Sequence, residues 1–246
     1  MSGLHGRPSD DRSEIARISR HSKRAAGNLA VFYSMRISDL NRLTGGLSRP
    51  SKMPGWSYGI PAWKCLLGSI LAKKDGSVCN SCYALKGMYI FPNVKKAQER
   101  RLESISRPEW VSWMTELIGK KYARKTRKKD RVFRWHDAGD LQSLEHLSKI
   151  VEIAKNLPDM RFWLPTRERK IIALWTLENG SFPKNLLVRV SMPMVGQDPL
   201  ENYAFPQSTV GAEKGFQCPA RKQGNECKNC RACWDAEVSS VNYELH

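Results

Sequence analysis

The sequence predicts an α/β fold built on a parallel sheet, and a regular alternation in its middle carries that reading. Arg131 to His136 (RVFRWH), Met160 to Leu164 (MRFWL) and Leu186 to Ser191 (LLVRVS) are short runs rich in apolar and aromatic residues, as strands are. Between the first two, Leu144, Leu147, Ile150, Val151 and Ala154 keep the spacing of one helical face. Between the second and third, Thr166 stands where it can cap a helix carrying Ile171, Leu174 and Trp175. The strands recur about 27 residues apart, which makes the pattern βαβαβ with right-handed crossovers. An open doubly wound sheet and a partial (β/α) barrel both satisfy it. No GxGxxG follows any of the three strands to favour a dinucleotide fold.

The other elements follow in chain order. Residues 1–28 read as a polar basic arm that includes Arg17, Arg20, Lys23 and Arg24. The stretch from Pro54 to Pro92 is punctuated by Gly and Pro and resists a helix. Asn93 is a candidate N-cap, with Val94, Ala97, Leu102 and Ile105 at roughly helical spacing behind it. Pro108 can open another helix, whose apolar stripe is Trp110, Val111, Met114, Leu117 and Ile118. Residues 29–205 then form the α/β core, and residues 206–246 a cysteine-rich C-terminal metal-binding extension.

The chain of 246 residues carries a formal charge of +17, an argument about partners rather than fold. A nucleic acid is the leading expectation. Its candidate contacts are the eight cations of one run: Lys120, Lys121, Arg124, Lys125, Arg127, Lys128, Lys129 and Arg131. No stretch approaches the roughly 18 apolar residues of a membrane span, and the N-terminus lacks the apolar core of a secretion signal. The expected setting is the cytoplasm, with no membrane partner.

Seven cysteines fall into two groups. Cys65, Cys79 and Cys82 form C-x13-C-x2-C, and Cys218, Cys227, Cys230 and Cys233 form C-x8-C-x2-C-x2-C. Buried free thiols and disulfides are the plainer readings, but three CxxC spacings in a chain expected to be cytoplasmic point to metal. Four thiolates close the shell of a zinc ion or an iron–sulfur cluster. Three thiolates on a four-iron cluster leave one iron open to an exogenous ligand. Spacing alone does not separate zinc from iron–sulfur.

Polar residues gather where each strand ends. Asp137, Gly139 and Asp140 follow the first, Arg167 and Glu168 the second, and Ser191 closes the third. In parallel α/β folds those ends open on one face, where ligands bind. The bland reading makes Asp140, Ser143 and Thr166 helix caps. His136, Trp63, Trp135 and Trp163 read more simply as packed core than as ligands or stacking platforms.

The Cys79–Ala84 segment, CNSCYA, resembles the cluster loops of phage-encoded radical-SAM-like proteins. The segment from Phe133 to Glu168 and the C-terminal C-x8-C-x2-C-x2-CW resemble the same group, the phage family labelled gene product 88, over about residues 55 to 246. The resemblance implies a partial (β/α) barrel of radical-SAM type. It implies a [4Fe–4S] cluster on Cys65, Cys79 and Cys82 with S-adenosylmethionine on the open iron, held by Gly139, Asp140, Arg167 and Ser191. It implies an enzyme that abstracts hydrogen through a 5′-deoxyadenosyl radical, with an electron donor as partner; the basic charge, not the resemblance, points to a nucleic acid or nucleotide as the substrate. The four-cysteine group would hold a second [4Fe–4S] cluster or zinc. The spacing departs from the C-x3-C-x2-C usual among radical SAM enzymes. The alternative is a nucleic-acid-binding protein, stabilised by zinc or iron–sulfur and without catalytic activity.

Overall fold

The computed structural model describes residues 35–123 and 130–245. The chain divides into two compact units, residues 1–36 and Ile37–His246, and apart from Met35 and Arg36 all described residues belong to the second. The basic arm, with Arg17, Arg20, Lys23 and Arg24, lies outside the described residues, as do Arg124, Lys125, Arg127, Lys128 and Lys129 of the basic run.

The second unit is an α/β structure on one open sheet. Its strands are β1 (Trp56–Tyr58), β2 (Val132–Trp135), β3 (Arg161–Thr166), β4 (Leu186–Ser191), β5 (Gln207–Val210), β6 (Phe216–Gln217) and β7 (Ser240–Tyr243). They stand in the order β1-β2-β3-β4-β5-β7-β6, and every pairing is parallel. The three strands legible in the sequence are β2, β3 and β4. From β1 to β5 the order follows the chain without reversal, whereas a doubly wound sheet reverses near its middle. With right-handed crossovers such an order sends every connecting helix to the same face. Accordingly α4 (Trp110–Tyr122) packs on α5 (Leu144–Asn156), and α5 on α6 (Arg169–Asn179).

Strand periodicity assigns the two faces. Phe133, Trp135, Phe162, Leu164, Leu186 and Val188 point into the main core with Trp110, Met114, Leu147, Ile150 and Trp175 from the helices. Val132 and Trp163 point the other way. There they meet Ala232, Cys233 and Trp234, so the cysteine-bearing segment between β6 and β7 covers the second face. Trp234 lies edge-on to Trp163 at 5.2 Å and donates its indole N–H to the Phe133 carbonyl at 2.9 Å. The C-terminal region therefore supplies β5, β6 and β7 to the same sheet rather than standing beside it.

Three helix starts show what local rules decide. Ser143 caps α5 as expected, its Oγ accepting from the His146 N–H at 3.0 Å. Asn93 does not cap α3 (Pro92–Ile105), which begins one residue earlier, because Pro at N1 needs no N–H acceptor. Thr166 stays in β3, and α6 begins at Arg169 without a side-chain cap. Among the described residues no helix is long and apolar enough to cross a membrane.

His136 and His146 are buried as a pair, with ring centroids 5.3 Å apart and Trp110 edge-on to His146. His136 sits at the end of β2 with φ +53°, and neither of its ring nitrogens has a partner among the described residues. Burial holds His146 down at about 3 and His136 well below the ordinary value. Both therefore bind fewer protons folded than unfolded below about pH 6.5, and stability falls as pH drops from there towards about 3. Each contributes a slope of up to ~1.4 kcal/mol per pH unit. Chemical denaturation of wild type and His146→Leu across that range should show a shallower slope in the variant, and equal slopes would sink the assignment.

Candidate metal centre at the carboxyl ends of the strands

The chain between β1 and α3 carries Cys65, Cys79 and Cys82 and is fastened over the strand ends in turn. The Ile60 N–H donates to the Ala138 carbonyl at 2.9 Å, just past β2. Tyr83, next to Cys82, donates its hydroxyl to the Asp137 carbonyl at 2.6 Å. The Leu67 N–H, in the short helix α2 (Leu66–Leu71), donates to Glu168 Oε1 at 2.8 Å, just past β3. The Val78 N–H donates to the Pro193 carbonyl, and Ser77 bridges to Met194, just past β4.

These ties bring sulfur together. A Cβ placed on Gly68 would lie 3.5 Å from the Cys65 Sγ and 3.7 Å from the Cys79 Sγ, so the two sulfurs flank the space that glycine leaves free. The same Cβ would sit 2.8 Å from the Cys65 Cβ, too close for any side chain without movement. Cys82 adds its own field to both, as do Asp140 and Glu168. Burial first, and these negative neighbours after it, push the Cys65 thiol up. Burial likewise raises Cys79, against the pull of the Arg167 guanidinium. Thiols so placed lose their protons readily only to a cation that takes over the charge.

Asp140 organises the polar side of this mouth. Its Oδ1 accepts from the Leu141 N–H at 2.8 Å and the Thr166 hydroxyl at 2.6 Å, and its Oδ2 accepts from the Arg167 N–H at 2.8 Å. Burial pushes its carboxyl up, while these bonds pull it down. It is thus a clamp between β2 and β3, not a helix cap. Thr166 passes the clamp on by accepting from the Glu168 N–H at 3.0 Å. The buried Arg167 Nε has no partner among the described residues. Gly139, at φ +80°, lets its loop approach Ile60, whose side chain a Cβ would meet at 2.4 Å. Ser191, at the end of β4, accepts from the Ser208 hydroxyl at 3.0 Å.

The second cysteine group lies on the covered face of the sheet. Cys218, Cys227, Cys230 and Cys233 line one small hollow with Pro219, Ala220, Ala232 and Trp234, and no carboxylate or imidazole shares it. A donor set of sulfur alone suits a soft metal. The Cys218 N–H donates to the Asn242 carbonyl and the Cys227 N–H to the Lys52 carbonyl, both at 2.9 Å. Cys233 lies 3.1 Å from the Tyr243 hydroxyl, and burial pushes its thiol up to about 12. Among the described residues, no three His, Cys, Asp or Glu side chains already stand close enough to hold a metal ion, in either group.

Of the basic run, three members are described, each beside a neighbour of its own. Lys120 pairs with Glu116 at 2.7 Å, Lys121 lies over the Trp56 ring at 4.5 Å, and Arg131 lies 3.7 Å from Asp159. Sequence reasoning missed Gly68, although its place three residues after Cys65 is visible there. It also missed Arg134 and Arg189, cations within strands that read as ordinary alternation. Replacing Asp140 by Asn should cost about 1–3 kcal/mol, because an amide must turn one N–H2 towards a donor. Urea denaturation measures it, and an unchanged midpoint would remove Asp140 from the clamp.

No curated protein and no solved structure matches the chain. Residues 35–236 match the family model described as gene product 88. That span holds β1 to β6, both cysteine groups and the Asp140 clamp. The chain belongs to the gene product 88 family of phage proteins.

Proposed function

We propose that this protein is an iron–sulfur enzyme of radical-SAM character whose open sheet serves as a partial barrel wall. The observation that carries the reading is the fastening of the loop that bears Cys65, Cys79 and Cys82 over the carboxyl ends of the strands, by Leu67 to Glu168 and by Tyr83, next to Cys82, to the Asp137 carbonyl. The donor set suits a four-iron cluster: the Cys65 and Cys79 sulfurs flank Gly68, Cys82 follows on the same loop, and the remaining four cysteines of the chain line another hollow. When bound, such a cluster supplies one-electron reduction of S-adenosylmethionine.

The protein's own residues supply position and charge. Asp140 fixes the Arg167 backbone, and the guanidinium of Arg167 offers a planar fork for a carboxylate. Glu168 holds the start of α2, and with it the spacing of Cys65 from Cys79. Leu66, Ile70, Met88 and Phe91 on the same loop are exposed, and a substrate seated there would bury them and exclude water from the mouth. The charge of +17 supports a nucleic acid or nucleotide as substrate. The four-cysteine centre supports the fold, as a second cluster or zinc. A low-potential electron donor completes the system in the host cytoplasm.

Anaerobically reconstituted protein tests this. Replacing Cys65, Cys79 and Cys82 by Ala should remove about four irons per chain, and S-adenosylmethionine should perturb the electron paramagnetic resonance spectrum of the reduced wild type. Zinc at the three-cysteine mouth, or a spectrum that does not respond, would replace the enzyme with a metal-stabilised binding protein. For the nucleic acid, neutralising Arg124, Lys125, Lys128 and Lys129 should flatten the plot of log affinity against log salt by about 0.9 for each duplex phosphate that is no longer neutralised. An unchanged slope would put the phosphate-binding cations elsewhere on the protein.

A further inference from the structure

Arg189 lies in the middle of β4 and is fully buried. Its Nη1 donates to the Gln207 carbonyl at 2.8 Å, and its Nη2 to the carbonyls of Asp235 at 3.2 Å and Ala232 at 3.3 Å. These acceptors are neutral. Its Nε has no partner, and among the described residues no carboxylate oxygen lies within 4 Å of it. A buried cation without an anion is costly, and carbonyl dipoles offset only part of that cost. Its bond to the Ala232 carbonyl nevertheless places it next to Cys233, one of the four residues whose sulfurs line the hollow, where the Tyr243 hydroxyl lies 3.1 Å from that sulfur.

A buried guanidinium lacking a paired carboxylate thus lies one residue away from a sulfur of the hollow, and a metal group there would supply the missing negative charge. Four thiolates around a divalent ion carry a net charge of about −2, and the same holds around an oxidised four-iron cluster. We infer that Arg189 is the built-in counter-charge of the four-cysteine centre, and that the hollow is made for a metal group that leaves it dianionic. The other charges are of both signs and leave Arg189 as the fully buried one: Arg134 and Arg231 lie towards Cys227, Glu244 towards Cys218 and Asp235 towards Arg189. Because Arg189 also ties Ala232 and Asp235 to β5, loading the hollow and seating this segment on the sheet become one event.

The inference rests on the reading that the four cysteines bind metal, and zinc alone can test both. The full chain is used with Cys65, Cys79 and Cys82 replaced by Ala, so that zinc reports only the C-terminal centre. Competition against a chromophoric chelator should show Arg189→Gln binding zinc at least tenfold more weakly than its parent. Arg189→Lys, which keeps the charge, should stay within about threefold. Equal affinity in Arg189→Gln, or an equal loss in both variants, overturns the counter-charge while the metal site stands. A parent that takes no zinc or iron at this centre overturns both. A measurement free of Arg189 variants stands beside these: loading the parent at pH 7 should release about four protons per zinc. Release of two would leave a neutral centre and overturn the inference even if Arg189→Gln did not fold.

Discussion

A parallel sheet must be covered on both faces, because its strands are too apolar to leave either one in water. Here helices cover one face and a cysteine-bearing segment covers the other. Most of the remaining structure follows from that division. Strand order without reversal puts α4, α5 and α6 together on one side. The far side is then left to Trp234, docked against Trp163 and the Phe133 carbonyl. The same order directs the ends of β1 to β4 to one edge, where a single loop can touch all of them and carry three cysteines across.

The two cysteine groups occupy different electrical settings. The mouth gathers Asp140, Glu168 and Arg167 around Cys65 and Cys79, a mixture of signs suited to a ligand that carries both. The covered hollow has Arg134, Arg189 and Arg231 about it, with Glu244 and Asp235 further members of its surroundings, and sulfur alone within it. Arg134 also reaches towards the mouth. It donates to the Tyr83 hydroxyl at 3.2 Å and stacks over Trp163 at 4.5 Å, which in turn meets Trp234. Tyr83 follows Cys82 and Trp234 follows Cys233, so four packed side chains join the neighbours of the two groups.

The sequence made β2, β3 and β4 legible because their apolar residues are contiguous and bounded by clear helical faces. It hid β5 and β7 because all of their buried residues but Val241 are polar. Gln207, Ser208, Thr209, Ser240 and Asn242 are all buried, and Thr209 and Asn242 bond each other across the ladder at 2.9 Å. Such strands carry no hydrophobic alternation to find. The gathering of Asp140, Arg167 and Glu168 was legible, since strand ends in a parallel sheet share an edge. That Ser191 bonds with Ser208 was not, because its partner strand was invisible. The cysteine spacing marked two groups, but nothing in it marked the second as a wall of the core.

That wall has a consequence for how the protein comes into being. The segment covering the second face follows β1 to β5 in the chain, so during synthesis those strands emerge before their cover exists. Until Cys218 to Trp234 arrive, Val132, Trp163 and the charged Arg134 and Arg189 lie on an open surface. Exposed parallel strands are slow to pair and prone to associate with other chains. On the metal-binding reading proposed above, the supply of metal at that moment would bear on yield as well as on chemistry. A cell short of it would accumulate chains with one finished face and one adhesive one.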